Sequence, residues 1–345
     1  MGGEYTYTNR HDDYVNQEGY VPTTYTRIRE QNLAGYAQYS HPLPFGQANI
    51  GLRYEHVDFD YFENATFVPG QSRVYDNIFP NISVNGQLGK VQFQVSYAAK
   101  TQRPNYSQLR NNITYANRFT WQTGNPLLKP SVTHDITAVG VWRFFQAMVS
   151  YKVVRDYILY WGTQVENQSA TTLINYINHD RLPSLTVMLA ASPTIGIWNL
   201  NASAIVMKQW FSLDAAGQRR TYNNPLFVGS LNNTFTLPAG FLLSADFNYQ
   251  SRGQVQNITL KRPQYTLNIG LRKSLFNDAL SIEARANDLL LGCKQEALLY
   301  MESAQMKDLS WSDTRSFSLT VRYKFNAAKS KYKGTGAGQD TINRM

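Results

Sequence analysis

The charged residues that recur at regular spacing in this sequence are Arg53 and Glu55, Lys100, Arg272, Glu283 and Arg285, and Arg322 and Lys324. Each stands at an alternate position of a run whose other positions are apolar. Side chains two residues apart on a strand share a face, so these groups would line one polar surface. Rings of such charges set the selectivity of a pore. The same charges facing one another across strands act as ion-pair ladders that hold the register. Both readings stay open on the residues alone. A second set, Tyr115, Phe119, Trp121 and Gln122, lies in a polar segment. Its rings and amide could stack on a sugar, peptide or cofactor ligand, or simply pack that segment.

Catalytic chemistry finds little support. The histidines are His11, His41, His56, His134 and His179, and none has metal-ligand spacing. His134 and Asp135 are adjacent, which on a strand points them to opposite faces. No Gly-x-Ser-x-Gly elbow occurs. A lone cysteine, Cys293, allows neither an intrachain disulfide nor a cysteine metal cluster. The expectation is a chain that is not an enzyme and holds no cofactor or metal. Net charge is +9, but the basic residues are spread out. No recognisable module or basic face points to a nucleic-acid partner.

The elements that must position these residues announce themselves by period two. Phe317, Leu319, Val321, Tyr323 and Phe325 alternate with Ser318, Thr320, Arg322 and Lys324. The same alternation runs through 90–100, 240–249, 265–272 and 280–287, which is a strand signal. Fourteen strands are predicted: 3–9, 29–41, 46–60, 73–87, 90–103, 131–143, 146–163, 170–191, 197–211, 220–237, 240–251, 259–274, 279–288 and 313–326. Short turn-like links at 42–46, 87–90, 238–240 and 276–279 alternate with longer polar segments at 9–28, 61–72, 104–130, 212–219, 251–258 and 289–312. Phe45, Trp142, Phe144, Phe145, Trp198, Phe241, Phe276 and Phe325 cluster near the short links, as in an aromatic girdle at lipid headgroup level.

An apolar face, a polar face, an even strand count and alternating link lengths predict an all-β fold. It is an antiparallel up-and-down transmembrane β-barrel of about 14 strands in a bacterial outer membrane, with lipid as a partner. Mean hydropathy is −0.41, which suits a barrel with a polar lumen and polar loops. No run reaches the ~20 apolar residues of a transmembrane helix; the nearest, 182–198, is cut by Pro183 and Pro193. Barrel is expected over 1–326. The Lys- and Gly-rich 327–345 is expected to be a flexible periplasmic tail. The first residues carry no secretory signal, so the chain reads as the C-terminal part of a longer protein.

Several segments, in order and spacing, resemble the barrel region of TonB-dependent receptor-like outer-membrane proteins, of the outer membrane β-barrel type found in Bacteroides-like bacteria. They are 103–109 (Arg-Pro-Asn-Tyr-Ser-Gln-Leu), 124–130 (Gly-Asn-Pro-Leu-Leu-Lys-Pro), 270–276, 284–290, 319–326 and 332–338. The resemblance spans about residues 30–340. It implies a parent with a plug domain and a barrel of about 22 strands, of which these would be the last fourteen. It also implies uptake of a nutrient ligand of unknown identity, coupled to the TonB system through upstream segments. Tyr323 and Phe325 resemble the C-terminal aromatic signal read by the barrel assembly machinery. The alternative is a passive channel or structural barrel without TonB coupling.

Overall fold

The computed structural model describes residues 1–19, 21–165, 168–302 and 305–325. Fourteen long strands follow one another: β1 (Gly2–Tyr14), β2 (Thr24–Leu43), β3 (Gly46–Glu63), β4 (Arg73–Leu88), β5 (Val91–Gln102), β6 (Ser131–Trp142), β7 (Phe145–Val165), β8 (Gln168–Ala191), β9 (Trp198–Gln209), β10 (Leu226–Leu237), β11 (Phe241–Gln250), β12 (Gln264–Leu275), β13 (Leu280–Asn287) and β14 (Ser316–Tyr323). Each pairs antiparallel with the next, from Gly2 opposite Tyr36 to Leu280 opposite Tyr323. The result is the expected all-β meander, with the expected strand count. Among the described residues no pairing joins β1 to β14. The expected tail, 327–345, lies outside the described residues.

Links alternate in kind. At one end the chain reverses through Pro44-Phe45, Gly89-Lys90, Arg143-Phe144, 192–197, Pro238–Gly240 and 276–279. Several of these turns use left-handed backbone, at Gly89 (φ 61), Arg143 (φ 54) and Phe276 (φ 55), which closes a hairpin in few residues. At the other end β7 and β8, 21 and 24 residues long, project beyond the ~9–11 residues a tilted strand needs to cross a bilayer.

Two predicted strands split. The segment predicted as 220–237 breaks at Pro225: Gln218–Tyr222 pairs with Phe211–Ala215, and β10 begins at Leu226. The segment predicted as 259–274 breaks before Pro263, so Ile258–Leu260 joins another sheet and β12 begins at Gln264. Proline lacks the N–H that a ladder needs, which explains both breaks. Long segments read as loops also carry strands. Gly253–Val255, Ile258–Leu260, Lys294–Tyr300 and Gln305–Trp311 form a separate four-stranded sheet at the long-loop end.

The two faces differ as the alternation requires. Leu33, Tyr39, Ile50, Leu52, Ile78 and Ile82 stand exposed on the outer face. On the inner face, Ile28, Phe59 and Tyr61 are buried under the 104–130 segment. A second cluster joins Leu159, Trp161 and Leu182 to Phe211, Leu213, Ala215 and Tyr222 of the 211–222 hairpin. The apolar packing that orders this chain therefore lies around the mouth, while the outer face of the barrel is left for lipid.

Candidate functional site

Two charge networks lie on the inner face. In the first, Glu55 is the hub, with its side chain 8% exposed. Arg53 Nε donates to Glu55 Oε1 at 2.6 Å, and an Arg53 terminal nitrogen donates to Glu4 Oε2 at 3.1 Å. Arg103 donates to the second Glu55 oxygen at 2.6 Å. A carboxylate this enclosed needs such partners, since an unpaired buried charge is costly. The network spans β1, β3 and the segment leaving β5.

In the second, Arg285 reaches Asp246 at 3.3 Å and Glu283 at 3.8 Å. Arg285 sits on β13 and Asp246 on β11, so the guanidinium must cross β12. It crosses at Gly270, its cross-strand partner. A side chain there would meet Ser244 Oγ at 2.6 Å, so glycine leaves the passage open.

Of the predicted inner charges, Arg53, Glu55, Glu283 and Arg285 thus enter networks. Lys100, Arg272, Arg322 and Lys324 carry no ion pair among the described residues. Glu4, Arg103 and Asp246 were not singled out by sequence reasoning. Glu4 and Asp246 share the inner-face parity of their strands, a signal that was present. Arg103 lies just past the end of β5, where alternation no longer applies.

The two motif segments fold into one clasp over the mouth. Helix α1 (Tyr106–Leu109) starts with a capping box in which the Asn105 N–H donates to Gln108 Oε1 at 2.8 Å. Tyr106 and Leu109 are buried with Leu128 against Ile28, Phe59 and Tyr61. Asn125 stitches the halves together: its N–H donates to the Gln108 carbonyl at 2.6 Å and its side-chain amide to the Tyr176 carbonyl at 2.8 Å. Gly124 permits this approach, because a Cβ there would lie 2.5 Å from the Arg110 and Gln108 carbonyl oxygens. Arg73 donates to the carbonyls of Pro126 at 2.5 Å and Leu127 at 3.1 Å. Burial pushes the Tyr61 phenol beneath the clasp up to about 12, so it stays a neutral hydroxyl.

Beside the clasp a small cleft of about 90 Å³ is lined by Ser107, Arg110, Thr114, Gln122, Tyr160 and Tyr176. Tyr160 and Tyr176 meet edge to face at 5.7 Å, and Arg110 lies 3.9 Å from Asp12. The cleft thus offers hydroxyls, an amide, a guanidinium and aromatic walls to a polar ligand group. Of the predicted loop residues, Gln122 lines it. Tyr115 pairs with Trp121 across the 114–122 hairpin, whose second strand runs parallel to β8. Phe119 stands half exposed at the hairpin tip, with the Arg118 guanidinium 4.4 Å from its ring centre.

At the opposite end, Phe45, Trp142, Phe144, Phe145, Phe241 and Phe276 stand exposed beside the short turns. Trp142 stacks on Phe145 and Trp198 on Phe235, with interplanar angles of 7° and 8°. Tyr323 closes β14 and stacks near Phe325, with ring centres 6.3 Å apart.

A family model described as outer membrane protein beta-barrel family matches residues 1–323. No curated protein sequence matches the chain. Among solved structures, the copper transporter OprC superposes with a TM-score of 0.60 at 11% identity, covering 94% of this chain and 53% of its own. The ferric-catecholate import receptor Fiu from E. coli K12 gives 0.56 at 12% identity, covering 88% and 46%. The FrpB iron transporter from Neisseria meningitidis gives 0.53 at 12% identity, covering 88% and 45%. At these identities the likeness is one of fold. The chain spans about half the length of these proteins.

Proposed function

This chain belongs to the outer membrane protein beta-barrel family and resides in the outer membrane, and from that premise we propose that it is the C-terminal barrel portion of a TonB-dependent receptor that imports a nutrient ligand. The observation that carries this reading is the fourteen-strand meander whose first and last strands do not pair among the described residues. An open edge in hydrocarbon leaves backbone donors and acceptors without partners, which lipid penalises severely. Further strands of the same receptor would cover those edges. The half-length match to iron and copper transporters accords with that. In this reading residues 1–326 are the barrel portion, mouth segments included, and 327–345, outside the described residues, are its periplasmic tail. The plug and the segment that engages TonB lie in sequence beyond this chain.

The ligand would meet the mouth first, at the cleft beside α1 and on Tyr115, Phe119, Trp121 and Gln122. The paired inner charges hold strand register. The unpaired Lys100, Arg272, Arg322 and Lys324 face the plug or the passing ligand. Phe45, Trp142, Trp198, Phe241 and Phe276 form the inner-leaflet girdle, and Tyr323 with Phe325 forms the assembly signal.

The test is single-channel conductance in a planar bilayer, for the refolded chain and for the full-length gene product. The expected result is no steady opening from the chain alone. Large, steady openings would show that fourteen strands close into an unplugged pore, and would favour a passive channel.

A further inference from the structure

The outer face of β6 to β11 carries a groove that the mouth chemistry does not use. It is a hollow of about 840 Å³, floored by Gly140, Ala147, Ala202, Ala204 and Gly229. The registers set these residues side by side: Gly140 opposite Ala147, and Ala204 opposite Gly229. The rings of Phe145 and Phe227 stand at its sides. Six strands at ~4.8 Å spacing give it a length of about 24 Å. Set aslant by the strand tilt, that is enough for an acyl chain within one leaflet, ~15 Å of hydrocarbon.

The groove begins at the short-turn end, where Trp142 and Phe145 flank the Arg143-Phe144 turn. Arg143 lies over the Trp142 ring, 5.0 Å from its centre. The neighbouring turn carries Lys90, beside Val91, which pairs with Trp142. Lys90 and Arg143 are both exposed, their two turns contain no acidic residue, and neither enters an ion pair among the described residues. Two basic groups therefore sit at headgroup depth directly below an apolar trough.

We propose that this groove binds one anionic phospholipid of the inner leaflet, with an acyl chain along the small-residue floor and the phosphate held by Lys90 and Arg143. An empty trough forfeits dispersion contacts along its whole lining, and a polar occupant finds no partner on its floor. A phospholipid supplies both the chain that fits and the charge that the rim lacks. The site rests on the outer-membrane location alone and not on the transport reading. It lies mid-sheet, away from β1 and β14.

The experiment is native mass spectrometry of the full-length gene product in detergent, titrated with phosphatidylglycerol or phosphatidylcholine. One retained phosphatidylglycerol per chain is expected, held more tightly than phosphatidylcholine. A basic residue near a membrane surface contributes roughly five-fold in affinity. Lys90→Gln with Arg143→Gln should therefore remove about 25-fold of the preference, and both positions are exposed turn residues whose change spares the fold. Ala202→Leu with Ala204→Leu should abolish the adduct of either lipid. Equal retention of both lipids, unaffected by the turn variants, overturns the proposal in favour of a non-specific annulus. A dimer that lipid does not displace overturns it in favour of contact between copies.

Discussion

Glu55 accepts hydrogen bonds from two arginines while almost wholly enclosed. Glu55→Gln leaves Arg53 and Arg103 facing each other without the charge that justifies them. Breaking a buried pair costs about 3–5 kcal/mol, so equilibrium unfolding of the variant in urea should show a loss of that size. A loss below ~1 kcal/mol would make the hub ornamental, because that is the scale of exposed pairs such as Glu283 with Arg285. His179 offers a pH readout outside the bilayer. It sits 4.5 Å from the Phe211 ring. Burial lowers its pKa and Arg219 adds to that, against an opposing pull from Asp180. Above the ordinary imidazole value of ~6.5 both folded and unfolded forms are neutral. As pH falls through it, the unfolded chain takes the proton first, so the hairpin loses stability. Protection of the 211–222 amides, taken relative to the intrinsic exchange rate at each pH, should fall between pH 7.5 and 5.5, and His179→Phe should flatten that response. Unchanged protection in the parent chain would sink the idea. Arg53 and Glu55 were legible in the sequence because alternation assigns them a face. Arg103 was not, because it acts 48 residues from Glu55 through a turn that no periodicity encodes.

At the level of elements, the fourteen membrane strands were readable because lipid on one side and water on the other impose a strict period of two. The extramembrane strands were read partly as loops and partly as extensions of membrane strands, because their surroundings impose no such contrast. The 211–222 hairpin shows why. Phe211, Leu213 and Ala215 alternate clearly, but their run continues directly from β9 and looks like its tail. The clasp was visible only as two segments, 103–109 and 124–130, that resemble a known family, and the structure explains them as the two halves of one packed unit. Tyr106→Ala should remove its central ring. Truncating a buried aromatic costs about 3–5 kcal/mol, spent here on local order rather than on the barrel. Amides of 104–130 should therefore exchange much faster, while those of β9 to β13 keep their protection. Equal loosening of both regions would mean that the clasp and the barrel unfold as one.

Over the whole molecule, order is distributed unevenly: apolar clusters gather at the mouth and polar networks tie the inner face. The outer face waits for a solvent that is not water. Strand count and the alternation of short and long links could be read from the chain, because short turns and long polar segments differ in length and composition. What covers β1 and β14 could not, because edges are satisfied by whatever lies alongside. The small sheet at the long-loop end has an edge of its own. Gln305–Trp311 pairs only with Lys294–Tyr300 among the described residues, and Leu309 and Trp311 are 65% and 61% exposed. Detergent belts coat the membrane band and leave that edge bare. Purified molecules can therefore adhere mouth to mouth through backbone pairing. Such clumping would persist whatever surfactant is chosen, and would yield to a proline placed in Gln305–Trp311.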